Sequence, residues 1–177
     1  MNALKSIALI GLRGSGKTSL GKLLAEKLDF AFADTDEIFF KQEKQSIAEF
    51  VAQNGWEAFR DKEEQILLQM PKEKTIISCG GGVILRETNR QFLKQTVFTV
   101  FLDVPVNVLV KRLEKDANTA QRPAFTTKSL AEEMREVSKA RRALYLDTCA
   151  YQLTQYADIN EEVQIILEEY QNRKYSI

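Results

Sequence analysis

One run of this sequence has the residue types and the spacing to hold a chain of phosphates. Gly11-Leu12-Arg13-Gly14-Ser15-Gly16-Lys17-Thr18 fits G-x-x-x-x-G-K-[ST]. Its glycines let the backbone curl so that several N–H groups point into one concavity, and a helix starting there adds partial positive charge. Lys17 can reach the β- and γ-phosphates of a nucleoside triphosphate, and the Thr18 hydroxyl can ligate Mg²⁺. A Gly-rich turn that binds nothing would satisfy the same pattern, so the flanks decide. Ser6-Ile7-Ala8-Leu9-Ile10 reads as a short buried parallel strand, and Leu20, Leu23, Leu24 and Leu28 recur at helical spacing.

Other residues could take part in chemistry beside that loop. Asp34 and Asp36 stand two apart at a strand end, where a carboxylate can order water on Mg²⁺ or accept hydrogen bonds from substrate hydroxyls; either could instead cap the next helix. Gly80-Gly81-Gly82 follows a buried strand and implies close approach of backbone to substrate or γ-phosphate, or else a flexible turn. That strand ends in Ser78 rather than in the acidic residue that often holds Mg²⁺ through water, so the duty falls to Asp34. Arg60, Arg122 and Arg141 offer guanidinium forks suited to carboxylate and phosphate oxygens, against a plain reading as solvated charges. Arg122 sits in a polar stretch able to swing over a transferring phosphoryl group. Histidine is absent, which excludes Ser-His-Asp and Cys-His hydrolysis and any histidine-ligated metal.

The elements that must position these residues alternate between strand and helix. Phe30-Ala31-Phe32-Ala33 is a second strand ending at Asp34, and Ile38, Phe39 and Phe40 lie on the next helix. Ser46 with Glu49 makes a capping box, Asn54-Gly55 ends that helix, and Trp56 to Met70 forms another, stopped by Pro71. Thr75–Ser78 is a third strand, Thr88 to Lys94 a short helix, and Thr96–Leu102 a fourth strand. Pro105 opens a helix through Leu113. From Glu114 to Thr127 the chain is polar and reads as a flap. A long charged helix from about Ser129 to Leu146, a strand at Tyr151–Thr154 and a helix from Glu161 to Tyr170 complete the chain. This alternation predicts a three-layer α/β/α sandwich with a parallel sheet, and puts the Gly11 loop, Asp34/Asp36 and Gly80–Gly82 on one rim.

Composition fits that architecture. The 177 residues are 44% hydrophobic, enough for one domain with a full core, and 25 basic side chains balance 25 acidic ones. No global field favours nucleic acid or an anionic membrane, no apolar run can span a bilayer, and the first strand begins too early for a signal peptide. Cys79 and Cys149 lack metal or disulfide-framework spacing and are expected as small buried or half-buried residues of a reducing, cytoplasmic protein. No apolar stripe is left over after the core is assigned, so a monomer is expected.

Taken in order, Gly11-x-x-Gly14-x-Gly16-Lys17-Thr18, Asp34-Thr35-Asp36, Phe59-Arg60-x-x-Glu63, Gly80-Gly81-Gly82, Arg122-Pro123 and Arg141-x-x-x-Tyr145 closely resemble the shikimate kinases over nearly the whole chain. The resemblance implies ATP-dependent phosphorylation of the 3-hydroxyl of shikimate, on the route to chorismate. It implies the nucleoside monophosphate kinase fold, with a five-stranded parallel sheet in order 2-3-1-4-5. Carried over, Asp36 would bind ring hydroxyls and act as base, Arg60 and Arg141 would clamp the shikimate carboxylate, and Gly80, Gly81 and Gly82 would present backbone amides. Gly14, Ser15, Gly16, Lys17, Thr18 and Ser19 would cradle ATP, with Arg112 stacked on adenine and Arg122 closing with its lid. Thr18 would ligate Mg²⁺ directly and Asp34 through water. Residues 34–63 become a substrate-binding subdomain and residues 114–127 a lid. The chain departs from the family at Ala124-Phe125, at Ala143, and in Asp158–Glu162, the expected adenine loop, which lacks a proline. Rival readings are a gluconate or nucleoside monophosphate kinase on the same fold, and a nucleotide-binding regulator without catalysis.

Overall fold

The computed structural model describes residues 5–115, 129–154 and 158–174. Five strands form one sheet in the order β2-β3-β1-β4-β5, every neighbouring pair parallel. The strands are β1 (Ile7–Ile10), β2 (Ala31–Asp34), β3 (Thr75–Ser78), β4 (Phe98–Leu102) and β5 (Tyr151–Leu153). The helices are α1 (Lys17–Leu28), α2 (Thr35–Glu43), α3 (Ile47–Leu68), α4 (Glu87–Thr96), α5 (Val106–Lys115), α6 (Leu130–Thr148) and α7 (Ile159–Lys174). Both the strand order and the α/β class expected from the sequence are present.

Burial explains the order. β1, β3 and β4 are buried at every position, as the continuous apolar runs require of strands covered on both faces. β2 and β5 are partly exposed and lie at the edges. Leu20 and Leu24 of α1, Leu93 of α4, Leu109 and Leu113 of α5, Met134 and Tyr145 of α6 and Ile166 of α7 close over the sheet in one cluster. A second, smaller cluster joins α2 to α3 through Phe39, Phe50, Phe59 and Ile66. Phe39 meets Phe50 and Phe59 edge-on at 5.2 and 5.1 Å. Phe39, Phe50 and Phe59 thus form, with Ile66, a small apolar nucleus beside the main core.

Local signals place most element ends. Ser46 and Glu49 form the expected capping box, and Ser129 with Glu132 forms a second at the start of α6. Gly55, at φ 83° and ψ 167°, breaks α3 where a helix end is expected; the chain resumes helix at once, so two helices meet end to end there. Three expectations are corrected. β4 begins at Phe98, because Thr96 completes α4 and Val97 caps it. β2 is shifted one residue on from the expected Phe30–Ala33, beginning at Ala31 and taking in Asp34. Val83–Leu85 form a single 3₁₀ turn where no element is expected. Cys79 is buried and Cys149 half-buried, both as free thiols. Among the described residues no helix is long and apolar enough to cross a membrane. Arg122, with Pro123, Ala124 and Phe125, lies outside the described residues, as does most of the expected lid.

Candidate active site

The parallel sheet delivers three strand ends to one rim. β1 leads into the phosphate loop, β2 into Asp34 and β3 into Gly80. Gly11 (φ 146°), Gly14 (φ 76°) and Gly16 (φ 96°) all take backbone conformations that L side chains rarely adopt, so the glycine pattern is conformational as well as spatial. Gly16 ends the loop and caps α1, whose first residues are Lys17 and Thr18. Lys17 is buried, and its ammonium donates to the carbonyls of Gly11 and Leu12 at 2.9 and 2.8 Å and to Ser15 Oγ at 3.2 Å. It folds back over its own loop, where the carbonyls offer a cation its nearest acceptors; a phosphate arriving in the cleft would compete for the same charge.

Thr18 Oγ1 donates to Asp34 Oδ2 at 2.9 Å and lies 3.4 Å from Ser78 Oγ. The β2–β3 register sets Asp34 opposite Ser78, which is why these three oxygens meet. The other Asp34 oxygen accepts from the backbone N–H groups of Asp36 and Glu37, so Asp34 also caps α2. Asp34 thus caps α2 through one oxygen and meets Thr18 through the other. All three side chains are hard oxygen donors beside the loop, a set that suits Mg²⁺. Gly14, Gly16, Ser19 and Asp36 line the same cleft.

A second pocket opens on the far side of the phosphate loop, lined by Asp36, Arg60, Gly80, Gly81, Gly82 and Arg141 among others. Asp36, in the first turn of α2, faces both cavities. Arg60 is buried; it bonds Glu63 at 2.5 Å, one helical turn on, and its guanidinium lies 5.3 Å from the Trp56 ring centre and 5.0 Å from that of Phe59. Burial raises the Glu63 pKa, the charge of Arg60 opposes the rise, and Asp36 adds to it. No role is expected for Glu63 from the sequence, although it belongs to the Phe59-Arg60-x-x-Glu63 pattern; its spacing of three from Arg60 is the signal that could have found it.

Arg141 and Arg142 diverge. Arg141 points inward and donates to the Gly81 carbonyl at 3.0 Å, and the Tyr145 hydroxyl donates to the same carbonyl at 2.5 Å. Burial lowers the Arg141 pKa; Tyr145 opposes the shift and nearby Arg60 adds to it. Arg142 points outward and binds Asp103 at 2.7 Å. A solvated charge therefore describes Arg142, whereas Arg141 is turned toward the Gly80–Gly82 turn. Arg112 lies over the phosphate loop, its Nη1 at 3.3 and 3.4 Å from the Gly14 and Ser15 carbonyls. Apart from Arg122, every expected site residue lies on this rim. It supports two adjoining ligands: a polyphosphate with a divalent cation over the loop, and a small anionic molecule between Arg60 and Arg141, with Asp36 between them.

Comparison with known proteins points the same way. The family model "Shikimate kinase" matches residues 13–171. The chain is 42% identical to Shikimate kinase 2 of Photorhabdus laumondii over 142 residues, spanning 80% of this chain and 81% of that protein. Shikimate kinase 2 of Yersinia enterocolitica is 40% identical over 92% of this chain and 94% of its own length. Among solved structures, the shikimate kinase of Acinetobacter baumannii in complex with shikimate superposes with a TM-score of 0.90 at 28% identity, covering 98% of this chain and 96% of that one. A gluconokinase from Sinorhizobium meliloti shares the fold at a TM-score of 0.55 and 20% identity.

Proposed function

The chain belongs to the shikimate kinase family, and on that premise we propose that it transfers the γ-phosphoryl group of ATP to the 3-hydroxyl of shikimate. The observation that carries the reading is the placement of Asp36 between the phosphate-loop cleft and a pocket flanked by Arg60 and Arg141. A ring carboxylate docked between the two guanidiniums would turn its hydroxyl face toward Asp36. Asp36 accepts the hydrogen bond of the attacking hydroxyl and takes its proton as the bond to phosphorus forms. Lys17 exchanges loop carbonyls for phosphate oxygens, and the loop N–H groups of Gly14, Ser15, Gly16, Thr18 and Ser19 cradle the rest. The Gly80 N–H is held by Thr35 Oγ1 at 3.0 Å, so the backbone amides of Gly81 and Gly82 are the ones that meet the acceptor, while Arg112 packs on the adenine side of the loop and Arg122 closes over the transferring group. Thr18, with Asp34 through water, would hold Mg²⁺, which supplies neutralisation of phosphate charge. The work of the chain itself is alignment of acceptor and donor in a site from which water is excluded. We place this activity in the cytoplasm, on a monomer.

The test is nucleotide-coupled ADP release from the purified protein with Mg²⁺ and ATP, with shikimate, gluconate or a nucleoside monophosphate as acceptor. Release that depends on shikimate, and that Asp36→Asn and Lys17→Ala reduce by at least about 10²-fold while circular dichroism is unchanged, is the expected result. Release only with gluconate or a nucleotide assigns a different acceptor, and release with none of them leaves a nucleotide-binding protein without this activity.

A further inference from the structure

The phosphate loop and α6 are joined by a contact that neither the loop pattern nor the phosphoryl-transfer reading uses. Arg13 Nη2 donates to Glu133 Oε1 at 2.8 Å, 120 residues away in sequence, and the two side chains are only 12% and 3% exposed. The loop pattern leaves position 13 open to any residue type. We propose that the Arg13–Glu133 pair is a positioning device that ties α6 to the phosphate loop, so that the grip of Arg141 on the acceptor's carboxylate depends on what the loop holds. The proposal rests on the reading of Arg141 as a carboxylate ligand.

Arg13 lines both cavities, the one with Lys17 and Thr18 and the one with Arg60 and Arg141. Glu133, Val137, Arg141 and Tyr145 recur every fourth residue and form one row along α6. Glu133 and Tyr145 end that row with bonds to the loop and to Gly81, while Val137 and Arg141 line the acceptor pocket. The Gly81 backbone is itself packed on the loop: a Cβ built there would lie 3.5 Å from Arg13 N and Gly11 O. So α6 is fastened to the phosphate loop twice, once directly and once through Gly81, with the carboxylate ligand between the two fastenings. A buried ion pair resists separation because a lone buried charge is costly, so the fork and its partner move together. Small displacements of a positioning group cost disproportionately in binding and rate. A loop drawn onto phosphates would therefore reset Arg141, and by reciprocity bound acceptor would reset the loop.

The pocket supplies its own reporter. Trp56, the only tryptophan, lines the acceptor pocket beside Arg60. Shikimate is titrated by tryptophan fluorescence with and without Mg²⁺-ADP, for the full chain and for R13M/E133L, whose apolar pair replaces the ionic one at similar volume. The expected result is that ADP tightens shikimate binding by about fivefold or more in the unaltered protein. In the double variant, still folded by circular dichroism, that ratio falls to near one and the KM for shikimate rises more than kcat falls. Glu133→Gln, which keeps shape and removes charge, is expected to show an intermediate ratio, and it carries the comparison should the double variant fail to fold. A ratio near one in the unaltered protein, or an undiminished ratio in a folded variant, overturns the coupling. Absence of any shikimate binding by the unaltered protein overturns the acceptor assignment instead.

Discussion

Gly82 has an ordinary backbone, φ −103° and ψ 0°, so conformation does not demand glycine there; space does. A Cβ built on it falls inside the guanidinium of Arg60. Arg60 is the far end of a flexible side chain, so it is the group that yields. Gly82→Ala is thus expected to fold normally and to behave like Arg60→Ala, with shikimate affinity reduced about 10- to 100-fold, the worth of hydrogen bonds to a charged group. Calorimetric titration with shikimate checks it, and an affinity within twofold of the unaltered protein contradicts the role given to Arg60. Residues differ in how far their roles can be read from the chain alone. The placement of Lys17 and Thr18 is legible because it is tied to a short spacing, whereas spacing leaves Asp34 and Asp36 open between capping and ligand roles, and it is Asp34 that caps α2. Charge pattern does not separate Arg141, which the family resemblance alone picks out, from Arg142, since side-chain direction is set by helix phase and by partners as distant as Gly81 and Asp103. Glu133 carries no sequence signal at all, its partner being 120 positions away.

Among the elements, α1 must lie close to the sheet if Lys17 and Thr18 are to stand over the strand ends, and Gly21 makes that possible. A Cβ there would come within 2.8 Å of Phe32 Cε2 and 3.3 and 3.4 Å of Leu9 and Ile76 side-chain carbons. Gly21→Ala gains up to about 1 kcal/mol of helix propensity but overpacks a site hemmed in by three side chains, at a typical cost of about 1–3 kcal/mol. Net destabilisation by up to about 2 kcal/mol is expected in urea unfolding. KM for ATP should rise as α1 is pushed from the sheet; unchanged or increased stability would show that Phe32, on an edge strand, simply gives way. Helices and strands themselves are largely readable, because capping boxes, Gly55, Pro71 and continuous apolar runs are local signals. The boundary at Thr96 is not, since Thr-Val favours strand by residue type while the helix end is fixed by packing of Phe92 and Leu93 in the core. Nor is the 3₁₀ turn at Val83–Leu85, whose first hydrogen bond runs from Val83 N–H back to the Gly80 carbonyl.

At the scale of the molecule, the sheet order explains why one rim serves two ligands. β1 lies between β3 and β4, so the phosphate loop emerges beside Gly80 on one side, and β2 brings Asp34 and Asp36 next to β3. Alternation of strand and helix is enough to anticipate that rim, but not which pocket each arginine enters. The acceptor pocket draws on α2 and α3, which are joined by their own apolar cluster, and on the Gly80–Gly82 turn and α6, which belong to the main body of the domain. Ligands bound there act as fasteners between elements, and anything that binds the folded state alone raises its stability by mass action. At about 100 times its dissociation constant, a ligand adds about 2.7 kcal/mol, which for a chain of this size corresponds to a Tm rise of roughly 5–10 °C. Shikimate and Mg²⁺-ADP are each expected to give such a shift in differential scanning calorimetry. If the phosphate loop and α6 are coupled, both together should raise Tm by more than the sum of the separate rises. An additive pair of shifts would mean that the two sites share the rim and nothing else, and no shift with shikimate would remove the pocket between Arg60 and Arg141 from the acceptor's path.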